Sequence, residues 1–287
     1  MKMRFVFFLA AGVLLFSCRS KGTITLGSLN SGDALTVSEI YAEALERAGY
    51  KVVRSFDFDN VSLHEAIVNG TVDIGTEWTG TALTKVLRAP RGGDQYGTYD
   101  ALNTRYKQSG LVLLEPLPAD NAWSFAVLAE TADGKNIKTL SDLQKAAGEL
   151  VVAVSGEFND DSEGFPLLEE VYGPFRFKEV KVVSEEEQHS LFHGKAADVI
   201  SLRSNDGHFA DAMHRKLRDN FHAFVPQNLV PVTTGSFLSG HEELRSLLNA
   251  ISASLNDKVM IDLDAKTRIE KVPYPRAAKD YVKGNSF

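Results

Sequence analysis

Between Gly70 and Leu83 the chain reads Gly-Thr-Val-Asp-Ile-Gly-Thr-Glu-Trp-Thr-Gly-Thr-Ala-Leu, and this stretch restricts the fold more than any other. The β-branched run Val72–Ile74, ending on Gly75, suits a short buried parallel strand. The residues after Trp78 suit a helix start, with Thr79 or Thr81 as N-cap ahead of Ala82, Leu83, Val86 and Leu87. A strand that runs straight into a helix leaves Trp78 at the carboxyl end of the strand. In open α/β sheets that edge is where ligands dock. An indole held there offers an apolar face and a π quadrupole. The alternative is a plug under a loop, since large aromatics often fill cores.

The same rhythm extends in both directions. Strand Thr23–Leu26, a polar turn from Gly27 to Asp33, a helix from Leu35 to Ala48, a strand from Lys51 and a helix capped by Ser62 lead into the opening stretch. Val37, Ile40, Tyr41, Ala44 and Leu45 form one apolar stripe on the first helix. Strand–helix–strand–helix–strand predicts a parallel sheet covered by helices. After a glycine-rich loop at 88–99, a helix at 100–109 and a strand at 111–114, Glu115-Pro116-Leu117-Pro118 breaks regular structure. Strands at 125–128, 150–154, 181–183 and 198–202, with helices at 165–172 and 185–193, then repeat the architecture. A second break, Phe224-Val225-Pro226-Gln227-Asn228, returns the chain to Val230-Pro231-Val232 and the closing helices near 242–254 and 276–282. Two α/β lobes joined by two crossovers form a cleft that closes by hinge motion.

The first seventeen residues carry Lys2 and Arg4 followed by an apolar run from Phe5 to Phe16, the pattern of a secretion signal and too short for a membrane span. The run ends at Leu15-Phe16-Ser17-Cys18, which resembles the bacterial lipoprotein box; Cys18 is the only cysteine. Several acyl chains on one residue anchor a protein stably where one would not. Removing residues 1–17 takes away two positive charges, so the formal charge moves from -7 to -9. An acidic chain with scattered basic residues argues against nucleic acid as partner. The 270 residues that remain suggest two domains.

Several segments, in order, resemble one family. They are the first helix, Ser38 to Tyr50; the turn Glu77-Trp78-Thr79-Gly80-Thr81; Glu157-Phe158 with Gly164 and Val171-Tyr172-Gly173; Ser204-Asn205-Asp206-Gly207; and Pro226-Gln227-Asn228 with Pro231-Val232. The family is the osmoprotectant-type substrate-binding proteins of ABC importers, which take glycine betaine, choline or carnitine. The resemblance covers about residues 23–283. It implies an α/β, two-lobed periplasmic-binding-protein fold of type II: a signal peptide at 1–17, lobe I from 18–116 plus 228–287, and lobe II at 117–227. It further implies a lipid-anchored component of the bacterial cell envelope, at the outer face of the membrane or in the periplasm. Such a component captures a small quaternary-amine or zwitterionic solute for permease and ATPase subunits on other chains, with no cofactor and no bond chemistry. The alternatives are a sensory lipoprotein presenting its loaded lobes to a receptor, import of a non-betaine solute whose anionic group Arg203 binds, and, last, a secreted enzyme on the same scaffold.

In that family a quaternary ammonium sits in a box of aromatic rings, which attract a cation that cannot donate hydrogen bonds. Carried over, Trp78 and Trp123 keep an aromatic, while Arg203 and Gln227 stand where an aromatic is usual, and Ala34 has lost an amide. The ligand-binding set implied is Asn30, Asp33, Trp78, Thr79, Asn121, Trp123, Glu157, Arg203, Asp206, Gln227 and Asn228, with lipidation at Cys18. A guanidinium facing a trimethylammonium in a dry cleft is a like-charge pair. Arg203 therefore either binds an anionic group of the solute or turns aside to a wall carboxylate such as Glu157 or Asp206. His189 and His193 lie four apart beside Glu185, Glu186 and Glu187, but no third ligand completes a metal site by sequence. His208 and His214 read as surface residues of another helix. Glu77 reads equally as a pocket carboxylate or as a charge favouring a helix start. No nucleophile elbow, metalloprotease motif or phosphate loop is present.

Overall fold

The computed structural model describes residues 21–285 and 287; the leader at 1–17 and Cys18 lie outside them. Ten strands are present among the described residues: β1 (Thr23–Leu29), β2 (Lys51–Phe58), β3 (Ile74–Trp78), β4 (Leu111–Leu113), β5 (Trp123–Leu128), β6 (Val151–Ser155), β7 (Glu179–Val183), β8 (Val199–Arg203), β9 (His214–Lys216) and β10 (Leu229–Thr234). They form two five-stranded mixed sheets, in the orders β2-β1-β3-β10-β4 and β7-β6-β8-β5-β9. In each, three strands run parallel and the next lies antiparallel to them: β10 beside β3, and β5 beside β8. The chain leaves the first sheet after β4, builds the whole second sheet, and returns to slot β10 between β3 and β4.

The cores follow from the apolar periodicity. Val37, Ile40, Tyr41, Ala44 and Leu45 of the helix Gly32–Arg47 are all buried against the first sheet, and the Tyr41 hydroxyl meets Ser252 Oγ at 2.8 Å. In the second lobe Phe158 is the hub. Trp123, Phe125, Phe165 and Phe224 meet its ring edge-on with centroids 5.0 to 6.0 Å away, the tilted geometry that aromatic quadrupoles favour.

Several boundaries differ from expectation. Gly27-Ser28-Leu29 is strand, leaving only Asn30-Ser31 as turn before the helix. The strand expected at Val72–Ile74 instead runs Ile74–Trp78, so Val72 and Asp73 precede it and Trp78 is its last residue. Neither Thr79 nor Thr81 caps: Trp78 is the N-cap, with no side-chain bond, and the short turn Thr79–Thr81 widens into a π-turn at Ala82–Val86. Helices Ala129–Lys135, Gly156–Asp160 and Asp257–Asp264 had no apolar stripe long enough to announce them. His208 sits in a 3₁₀ turn and His214 in β9 rather than on a surface helix, and His214 is buried.

The two crossing segments are tied to one another. The Asn228 amide donates to the carbonyls of Leu117 (3.1 Å) and Ala119 (3.0 Å), while the Asn121 backbone donates to Gln227 O at 2.9 Å. Asp120 accepts from the N–H groups of Gln227 (2.7 Å) and Ala122 (3.1 Å). Gly80 backs onto this hinge so closely that a Cβ would lie 2.4 Å from the Pro226 carbonyl. Asn228→Ala orphans two carbonyls at once. It is expected to lower unfolding stability by about 2–3 kcal/mol, read by urea denaturation; a loss under about 0.5 kcal/mol would mean that the amide is not a clamp.

Candidate ligand-binding cleft

Side chains alternate along β3, so Thr76 and Trp78 share one face and Gly75 and Glu77 the other. Thr76 meets Ser38 Oγ at 2.9 Å. Glu77 is buried on the far side, accepting from the Tyr106 hydroxyl at 2.5 Å and lying 3.2 Å from His64 Nδ1. Glu77 is thus neither a cleft carboxylate nor a free helix-start charge; it braces the strand end from which Trp78 projects. In the second lobe, Trp123 and Arg203 are direct partners across β5 and β8.

Trp78 and Trp123, one from each sheet, line a single cavity of about 420 Å³ together with Asp33, Asn121, Glu157, Arg203, Asp206 and Gln227. Three other residues of the expected set stand apart from its wall. Asn30 is exposed, donates to Asp57 at 3.1 Å, and borders a neighbouring cavity behind Trp78. Thr79 and Asn228 bond to each other: Thr79 N donates to Asn228 O (3.0 Å), and Asn228 N to Thr79 Oγ1 (3.1 Å). They belong to the contact between the Trp78 turn and the returning crossing segment.

Arg203 sits over Trp123, its guanidinium carbon 3.5 Å from the ring centroid, and donates to Glu157 at 2.6 Å. Gln227 accepts at Oε1 from Thr81 N (3.1 Å) and Thr81 Oγ1 (3.3 Å), which fixes its amide against the Trp78 turn. The cleft also holds groups that sequence reasoning passed over. On one rim Lys85 reaches Asp161 (2.6 Å) and Glu163 (3.8 Å), and Thr84 donates to Glu163 at 2.6 Å. On the other, Arg268 pairs with Asp206, Glu185 and Asp264. There the Gly207 backbone lies directly against the 264–265 segment. Gly207 N donates to Asp264 Oδ2 at 2.6 Å, and a Cβ on Gly207 would meet Ala265 N at 2.5 Å. The glycine of the Ser204-Asn205-Asp206-Gly207 motif was a usable signal for that contact; Arg268 and Asp264 had none.

Seven carboxylates and three cationic side chains line the cavity, so its field favours a cation. Asp206 is held well below the usual carboxylate range: burial pushes it up, but hydrogen bonds from His208 and the charge of Arg268 outweigh that. Burial, with Asp264 adding repulsion, pushes Asp33 the other way, up to about 7. Asp33 accepts from Asn205 Nδ2 at 3.1 Å, while the buried Oδ1 atoms of Asn205 and Asn121 lack partners. Burial, and then the charge of His208, push His189 down to about 3 and His214 down to about 4.

Residues 22–284 match the family described as the substrate-binding domain of ABC-type glycine betaine transport systems. The glycine-betaine-binding protein of Pseudomonas aeruginosa is 23% identical over 283 residues, covering 95% of this chain and 91% of that one. The carnitine transport binding protein of Listeria monocytogenes is 24% identical over 294 residues, covering 98% and 95%. A solved structure described as a glycine betaine/carnitine/choline ABC transporter superposes with a TM-score of 0.84 at 21% identity, covering 91% of this chain and 97% of its own. Two mixed sheets flanking a solute-sized cleft therefore define an α/β periplasmic-binding-protein fold. This chain belongs to the glycine betaine-type substrate-binding family and is a solute-binding component of an ABC transport system.

Asp33 couples folding to pH. The native state keeps its proton up to about pH 7, whereas the unfolded chain loses it near pH 4. The native state thus binds more protons across that window, and this group's contribution to stability falls as pH rises through it. Asp33→Asn keeps an acceptor for Asn205 and removes the penalty. Its stability relative to wild type is expected to climb between about pH 4 and 7 and then level off; a flat difference across that range would refute the shift.

Proposed function

We propose that this chain is the lipid-anchored, extracytoplasmic capture component of an ABC importer, and that its solute is a small cationic or zwitterionic amine, betaines included. The observation that carries this reading is the pair of indoles, Trp78 and Trp123, facing one net-acidic cleft from opposite sheets. Ring faces and surrounding carboxylates suit a cation that has no hydrogen to donate. The names of the relatives support the same ligand class. The lobe division proposed is 18–116 with 228–287 against 117–227. Capture, closure about the Asn228 hinge and presentation to separate permease and ATPase subunits make up the cycle, with no bond chemistry. The Leu15-Phe16-Ser17-Cys18 box supports anchoring through an acylated Cys18.

Arg203 sets the charge type. Its guanidinium exchanges Glu157 for the carboxylate of a zwitterion, a bidentate partner that a choline-like solute lacks. Its position on Trp123 also favours a second reading, a solute with an anionic group but no quaternary ammonium. Titration calorimetry with glycine betaine, carnitine and choline separates these. Zwitterions are expected to bind more tightly than choline, and Arg203→Ala to narrow that gap. Trp78→Ala is expected to weaken the zwitterions by roughly 3–30-fold, the span of a cation–π contact. Choline bound as tightly as betaine by wild type would remove the role given to Arg203. Indifference of all three solutes to both tryptophans would overturn the amine reading.

A further inference from the structure

Four of the seven histidines gather in the second lobe, on three elements far apart in sequence. His189 and His193 lie on the helix Glu185–His193, His208 in the turn Gly207–Ala210, and His214 in β9. His189 and His208 stack with centroids 3.5 Å apart, and His214 lies 6.3 Å from the first and 5.7 Å from the second. One ligand atom each from His189, His208 and Asp206 falls within 4.8 Å of the others. None of this serves the solute cleft except Asp206, whose Oδ2 faces Arg268 while Oδ1 faces His208.

Both ring nitrogens of His189 and both of His214 are buried without a hydrogen-bond partner, and the His214 side chain is fully buried. Orphaned buried polar atoms lose their hydration without recompense and are rare in native proteins. Each neutral imidazole keeps one lone-pair nitrogen, so these two rings hold two buried lone pairs aimed at no donor, as a ligand that accepts nitrogen lone pairs requires. Two imidazoles sharing one zinc at about 2.0–2.1 Å place their ring centres roughly 5–6 Å apart. The His208–His214 distance of 5.7 Å already suits that geometry; the His189–His208 stack would splay and His214 draw toward His189 to complete it.

We propose that His189, His208, His214 and Oδ1 of Asp206 form a binding site for a borderline divalent transition ion of the zinc class, adjoining the solute cleft through Asp206. Three imidazoles and one carboxylate are a donor set such ions prefer. The ion replaces the His189–His208 stack as the link between the helix Glu185–His193 and the Gly207–Ala210 turn. Asp206 Oδ2 keeps Arg268.

Zinc chloride titrated into the intact, chelator-treated protein is expected to bind at one equivalent. His189→Gln and His208→Gln should each weaken it roughly tenfold or more, and His222→Gln, exposed and outside the cluster, should leave it unchanged. Circular dichroism checks that the variants fold. Cobalt(II) reads the unsubstituted chain directly, where the visible bands of a four-coordinate nitrogen–oxygen site are expected. The assignment falls if zinc does not saturate, if binding survives the double His189→Gln, His208→Gln substitution, or if cobalt keeps the spectrum of its six-coordinate aqua ion.

Discussion

The cleft depends on two strands of connecting chain held side by side. Asn228 reaches across to the Leu117 and Ala119 carbonyls, and Asp120 reaches back to the Gln227 N–H. This pairing fixes where β10 enters the first sheet and where β5 begins the second. The carboxyl end of β3 and the Trp123–Arg203 end of the β5–β8 pair consequently face the same space. Gly80 gives the hinge room to lie against the Trp78 turn. A looser crossing would leave both sheets intact and separate the two indoles.

Around that hinge the ionic groups are mostly paired across the gap. Lys85 bridges one rim to Asp161 and Glu163, and Arg268 bridges the other to Asp206 and Glu185. Such partly buried pairs gain from a lowered local dielectric, and breaking one leaves its partner in a poor solvent. Among the described residues Asp33 is the cleft carboxylate with no cation at ion-pair distance; its high pKa and the two unpartnered asparagine oxygens mark the part of the wall that is electrostatically unsatisfied.

Much of the architecture was legible because strands of parallel sheets are buried on both faces and read as near-continuous apolar runs. Val151–Val154 and Val199–Leu202 are of that kind. Two proline-bearing breaks located the crossovers for the same reason that proline ends ladders. Short helices such as Gly156–Asp160 have too few residues for periodicity to register. In the cleft, Trp78, Trp123, Arg203 and Gln227 could be placed because they sit at strand ends or in motif turns. Lys85, Asp264 and Arg268 could not, since π-turns and contacts between lobes aim them. The histidines failed for a related reason. The spacing of 189 and 193 is local, but His208 and His214 join them only through the packing of β9 against the turn before it.

Arg203 on the face of Trp123 means that the protein carries its own provisional guest. A solute claiming that indole does not enter a bare box; it exchanges with a tethered guanidinium already enjoying the ring and Glu157. Such a built-in competitor lowers apparent affinity by the fraction of time it holds the face. On the function proposed above, weak cations would be turned away and a solute that also offers the guanidinium a new anion admitted. Discrimination then comes from a swap of partners, a test that bulk and shape alone do not impose.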